Sequence, residues 1–112
     1  MAVNVLERVK EIAEGFGADR TARQQRRSLD PADFVALRDA GFLLTGIPTE
    51  AGGLYADRAA STRPVSEIVR ALARGDSSVA LVAAMHPAVL SFWLATPEVP
   101  PDYRAAWADQ RR

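Results

Sequence analysis

Gly46-Ile47-Pro48-Thr49-Glu50-Ala51-Gly52-Gly53-Leu54 and, further along, Gly75-Asp76-Ser77-Ser78-Val79-Ala80 decide how this chain is read. The first stretch is a rigid loop. Pro48 ends an apolar run, and Gly52-Gly53 mark a tight turn that needs a positive φ or a close backbone approach. The second stretch stops one helix at Gly75 and opens another, with Asp76 as its N-cap. The new helix is apolar on nearly every side, through Val79–Met85 and then Val89, Leu90, Phe92, Trp93 and Leu94. A helix without a polar face is either central to a core or held between two domains.

Outward from that helix, the other segments also read as helical. Val5, Val9, Ile12 and Phe16 recur at steps of four, three and four, with Glu7, Lys10, Glu11 and Glu14 facing away. The helix can extend through Gly15 and Gly17 into Ala18–Arg27, which is polar nearly all round. Asp30-Pro31-Ala32-Asp33 is a start signal: a cap, a proline suited to the first turn and an acid at the positive end of the dipole. Phe34, Leu37 and Ala40 then face inward, and Gly41 ends the helix. Phe42, Leu43, Leu44 and Ile47 form an extended or turn-like apolar stretch. Tyr55–Ser61 reads as an exposed loop. Ser61 or Thr62 caps a third helix with Pro64 in its first turn and Val65, Ile68, Val69, Leu72 and Ala73 inward. Pro97, Pro100 and Pro101 break the chain before a last helix over Asp102–Arg112. No segment requires a strand. The expected fold is all-α, an orthogonal-type bundle of about five helices in one domain spanning 1–112.

Composition narrows the function classes. The 112 residues carry 14 acidic and 14 basic side chains, so no net charge draws the chain to nucleic acid or an anionic membrane. Hydrophobic residues make up 48%, enough for one modest core. The absence of cysteine excludes disulfides, thiolate metal sites and cysteine nucleophiles. Charged residues near the N-terminus interrupt any secretory leader. The apolar run Val79–Ala95 contains His86, Pro87 and Ser91 and reads as a buried helix rather than a span. A soluble cytoplasmic protein is expected.

His86, the only histidine, offers the one chemically versatile side chain on the apolar helix. It is either a hydrogen-bond donor or proton shuttle in an apolar pocket, or a core histidine satisfied by a backbone carbonyl. Spacing alone favours the second, since no acid pairs with it. Pro87 removes a helix hydrogen bond beside it and can kink the helix. Metal binding is disfavoured without a second histidine or a cysteine. The 46–54 loop matches no phosphate cradle and holds no basic residue. Arg20, Arg23, Arg26 and Arg27 form a basic cluster with no aromatics interleaved and with Glu11, Glu14 and Asp19 close by. It reads as a solvated face or an interface ion-pair set rather than a nucleic-acid surface.

Four pieces in order carry a resemblance: Asp39-Ala40-Gly41-Phe42-Leu43, then Ile47–Leu54, then Ala71-Leu72-Ala73-Arg74-Gly75-Asp76, then Ser78-Val79-Ala80-Leu81. Together they resemble the N-terminal helical domain of the acyl-CoA dehydrogenase family, including its branch of flavin-dependent monooxygenases. The segment after Gly53 departs from the family pattern, which usually continues with a glycine where Tyr55 or Ala56 stands. The resemblance implies an FAD-dependent oxidoreductase lineage, a cytoplasmic, oligomeric flavoprotein. In it, a glutamate base and the flavin flank an acyl-CoA thioester. It also implies that the base, most of the flavin site, a β-barrel domain and a C-terminal bundle lie beyond Arg112. The chain would then be a truncated domain, inactive alone, and no tight FAD binding is expected of it. On this reading Met85, Val89 and Leu90 line one wall of the substrate pocket, and His86 is the catalytic candidate. In some monooxygenases a histidine stands one helix length after the aspartate, as His86 does after Asp76. The implied partners are the missing domains or a flavoprotein chain, a small-molecule substrate such as an acyl-CoA, and further copies of the chain, with no nucleic acid or membrane. The alternative is a non-enzymatic helical module that buries its apolar helix against a partner. Either way that helix should expose an apolar patch.

Overall fold

The computed structural model describes residues 4–94, and all their regular elements are helical. Helix α1, Val5–Ala18, begins at Asn4, whose side chain accepts from the Glu7 amide at 3.2 Å. Its buried face is Val5, Val9, Ala13 and Phe16, with Ile12 and Leu6 packed at the edge of the core. The polar extension does not continue α1. The chain turns at Asp19, and α2 is one short helix, Arg20–Gln24. Helix α3, Pro31–Asp39, starts where Asp30 accepts from the Ala32 amide at 2.9 Å. Gly41, with φ of 90°, ends it and leads into a 3-10 turn over Phe42–Gly46.

Helix α4 runs over Arg58–Gly75 and begins earlier than the sequence suggests. Asp57, not Ser61 or Thr62, is its cap, accepting from the Ala60 amide at 2.7 Å. Most of the loop expected at Tyr55–Ser61 is therefore helix. The two hydroxyls serve other groups: Ser61 is buried and accepts from the Ala56 amide at 2.9 Å, and Thr62 donates to the Arg58 carbonyl. Pro64 thus sits in the second turn. The Ala60 carbonyl that loses its partner lies on the exposed side, where water can satisfy it.

Helix α5, Ser77–Leu94, is the apolar helix of the sequence. The core is built from α1 against α4, α4 against α5, and α5 against the 3-10 turn. Phe42, Ile47, Leu72, Val9 and Val79 are its largest fully buried apolar side chains. Gly75 permits the tight α1–α4 crossing, since a Cβ there would stand 2.4 Å from the Ala13 carbonyl oxygen. The five helices described are α1 to α5. The helix expected over Asp102–Arg112 lies outside the described residues.

Candidate functional site

The start of α5 is fixed by charge. Asp76 accepts from the amides of Ser78 and Val79 at 3.0 and 3.1 Å, occupying orphan donors of the first turn. Its other oxygen takes Arg23 Nε at 2.8 Å. Arg23 also reaches Asp33 on α3 at 2.5 Å through Nη2, and its guanidinium lies 3.7 Å from the centroid of the Phe16 ring. The Arg23 side chain is only 7% exposed. Burial alone would raise the Asp76 carboxyl. The Val79 amide, the Arg23 guanidinium and the Ser78 amide outweigh it and hold that carboxyl below its ordinary range. One buried arginine therefore ties α2 to the N-termini of α3 and α5.

This network makes Arg23 and Arg26 an ion-pair set within the fold rather than at an interface, while Arg20, Arg26 and Arg27 remain exposed as a solvated face would be. Arg20 donates to the Arg74 carbonyl at 2.9 Å, and Arg26 pairs with Asp19 and Asp33. Sequence reasoning gave Asp33 only a dipole role and Asp76 only a cap. The available signal was that Arg23 falls seven residues after Phe16, in line with the buried stripe of α1.

The inner face of α5 includes Val79, Ala80, Ala83, Pro87 and Leu90, all buried. Leu90 packs so closely on Gly46 that a Cβ there would stand 2.7 Å from Leu90 Cδ1. His86 Nε2 lies 2.7 Å from the Leu43 carbonyl oxygen. A carbonyl only accepts, so Nε2 carries the proton and donates. The side chain ties α5 to the 3-10 turn.

The outer face is bare. Leu81 is 67% exposed, Met85 58%, Val82 49% and Val89 45%. With Ser78 they recur at helical spacing and form one apolar stripe. Of the expected pocket-lining residues, Met85 and Val89 share this stripe, whereas Leu90 lies on the opposite, buried side. His86 stands between the two faces with its Nε2 engaged.

The 46–54 loop offers nothing to a phosphate. Gly52 has φ of 92°, and a Cβ at Gly53 would meet the Ile47 carbonyl oxygen at 2.0 Å. The amides of Ala51, Gly52, Gly53, Leu54 and Tyr55 all donate to carbonyls of the loop or the preceding turn. Among the described residues no group of three or more His, Cys, Asp or Glu is placed to hold a metal ion, and no cofactor-binding feature is present. The expectation that oxidoreductase, flavoprotein and FAD describe this chain is corrected on that ground. No helix among the described residues is long and apolar enough to cross a membrane. No known protein family, no curated protein and no solved structure matches this chain.

Proposed function

We propose that this chain is a docking domain: the outer face of α5 forms one wall of an apolar pocket or interface that another folded body closes. The reading agrees with the place that the N-terminal helical domain holds in enzymes of the acyl-CoA dehydrogenase type, which the four sequence pieces resemble. Its role there is to shape and to shield, not to transfer protons or electrons. The observation that carries it is the stripe of Leu81, Val82, Met85 and Val89, left in water on a helix with no charged residue between Ser77 and Leu94. Fully burying one such side chain is worth about 1.5–3 kcal/mol, so covering these half-exposed groups contributes a few kcal/mol to association. The Asp76–Arg23 network and the His86–Leu43 bond hold the helix still while its face is offered, which lowers the ordering cost of docking.

The test compares the purified chain with a Leu81→Glu, Met85→Glu variant in sedimentation velocity, hydrophobic-dye binding and thermal melting. The parent chain should take up dye and self-associate as concentration rises. The variant should be monomeric and dye-free, with its melting temperature hardly changed, because surface substitutions usually stay within about 0.5 kcal/mol. A variant that loses the fold would make the stripe part of the core. A parent chain that is monomeric and dye-free at high concentration would sink the docking reading.

A further inference from the structure

Beside the stripe, an open groove of about 410 Å³ runs between α4 and α5. Val65 and Val69 form its α4 wall, and Ala84, Pro87 and Ala88 its α5 wall. The stripe residues Leu81 and Met85 stand along its α5 edge. Among the described residues the only charged side chains lining the groove are Arg58 and Arg70, and neither makes an ion pair with any described residue. The charge of α4 as a whole is one-sided. Helix α4 carries Arg58, Arg63, Arg70 and Arg74 against the single acid Glu67, which pairs with Arg63 at 3.6 Å. Asp57, next to Arg58, is committed to capping α4. Helix α5 adds no charge.

We infer that the body docking on α5 lays an acidic amphipathic helix into this groove, apolar side against Val65, Val69, Ala84 and Ala88, with carboxylates reaching Arg58 and Arg70. The inference rests on the docking reading and names the partner's chemistry. The shape favours a helix: the α5 wall is built of alanines and a proline, and small residues let a third axis approach to about 8–10 Å. No strand among the described residues offers an edge for an extended peptide. The charge favours acid: Arg58 and Arg70 are twelve residues apart on α4, about 18 Å along its axis, so carboxylates some three turns apart on the partner reach both. Apolar burial supplies the affinity, and the arginines select sign and orientation.

The experiment uses two fluorescein-labelled synthetic helices of roughly 18 residues, long enough to hold helical structure. They share one leucine stripe and differ only in carrying Glu or Lys along its flanks. Anisotropy titrations are run on the parent chain and on an Arg58→Glu, Arg70→Glu variant, with melting curves to confirm that the variant folds. The Glu peptide should bind the parent about tenfold more tightly than the Lys peptide. Added salt should shrink that ratio, and the charge-reversed variant should invert it. Equal affinities for the two peptides overturn the inference, as does a preference that survives charge reversal; dye uptake by the same parent chain would leave the docking reading standing. Phosphatidylcholine–phosphatidylserine vesicles form the third arm. Vesicle binding that depends on Arg58 and Arg70, without peptide preference, overturns it in favour of a membrane surface.

Discussion

Replacing Arg23 by alanine should be the most damaging single change away from the large apolar core. The guanidinium makes three hydrogen bonds to two carboxylates: Nε to Asp76 at 2.8 Å, and Nη2 and Nη1 to Asp33 at 2.5 and 3.3 Å. The side chains of Arg23, Asp33 and Asp76 are 7, 10 and 13% exposed, so water cannot take over. Removing one partner of a buried pair costs about 3–5 kcal/mol, chiefly because the remaining charge stays buried without compensation. Here Asp33 keeps only Arg26, at 3.4 Å, and Asp76 only its two amides, and the stacking on Phe16 is lost as well. A domain of this size has only about 5–15 kcal/mol in total. At ~4 °C per kcal/mol, the melting temperature should fall by roughly 12–20 °C at pH 7.

The pH dependence separates this account from simple loss of packing. Asp76 titrates below its ordinary value of 3.8 in the folded chain. A depressed carboxyl contributes stability that is fully present above the ordinary value and is lost as pH falls through the lowered one. The parent chain should therefore weaken below about pH 4. In Arg23→Ala the Asp76 carboxylate loses its cation, and protonation relieves it. The gap between parent and variant should narrow between pH 7 and pH 3 in thermal melts followed by circular dichroism. A gap under about 1 kcal/mol at pH 7 would refute the buried-network reasoning. So would a large gap that stays constant with pH. Converting the set together, Arg23→Met with Asp33→Asn and Asp76→Asn, should recover part of the loss, since asparagine still caps α5.

Other substitutions probe the loop and the helix contacts. Gly53→Ala drives a Cβ into the Ile47 carbonyl and should cost about 1–3 kcal/mol in denaturant titrations. Gly75→Ala should cost a similar ~1–3 kcal/mol by pushing α4 off Ala13, and hydrogen exchange in α1 should rise with it. His86→Ala removes the donor to the Leu43 carbonyl and should cost about 1 kcal/mol, with faster exchange in the 42–46 turn.

Much of the fold is legible where one side chain decides one local question. Asp30 and Asp76 are caps because each precedes a helical run with a short acceptor in reach. Gly41 ends α3 because only a glycine takes its φ of 90° cheaply. The start of α4 is less legible, because Asp57, Ser61 and Thr62 are all competent caps and only the tertiary fold shows which one is used. Ser61 is withdrawn from the contest by its buried bond to the Ala56 amide, a contact no spacing reveals. Arg23 is hinted at only by its seven-residue step from Phe16. A charge in a short polar helix reads as surface until two carboxylates from other elements are seen beside it.

The bare face of α5 is half legible, and the missing half follows from packing. A charge-free run of helix says only that some apolar surface must be covered, not which part the chain covers itself. The neighbours of α5 are close. Gly46 meets Leu90 directly, and the inner face otherwise includes Val79, Ala80, Ala83 and Pro87. Small residues inward bring the helix near its partners, so its own domain needs only a narrow strip. Leu81, Met85 and Val89 are also turned outward, although large apolar side chains gain most from burial. Substituting polar residues at those three positions would be nearly free for a chain that functions alone. On the docking reading proposed above, their apolar character carries information about association, and Arg58 and Arg70, which make no ion pair among the described residues, carry information about its sign.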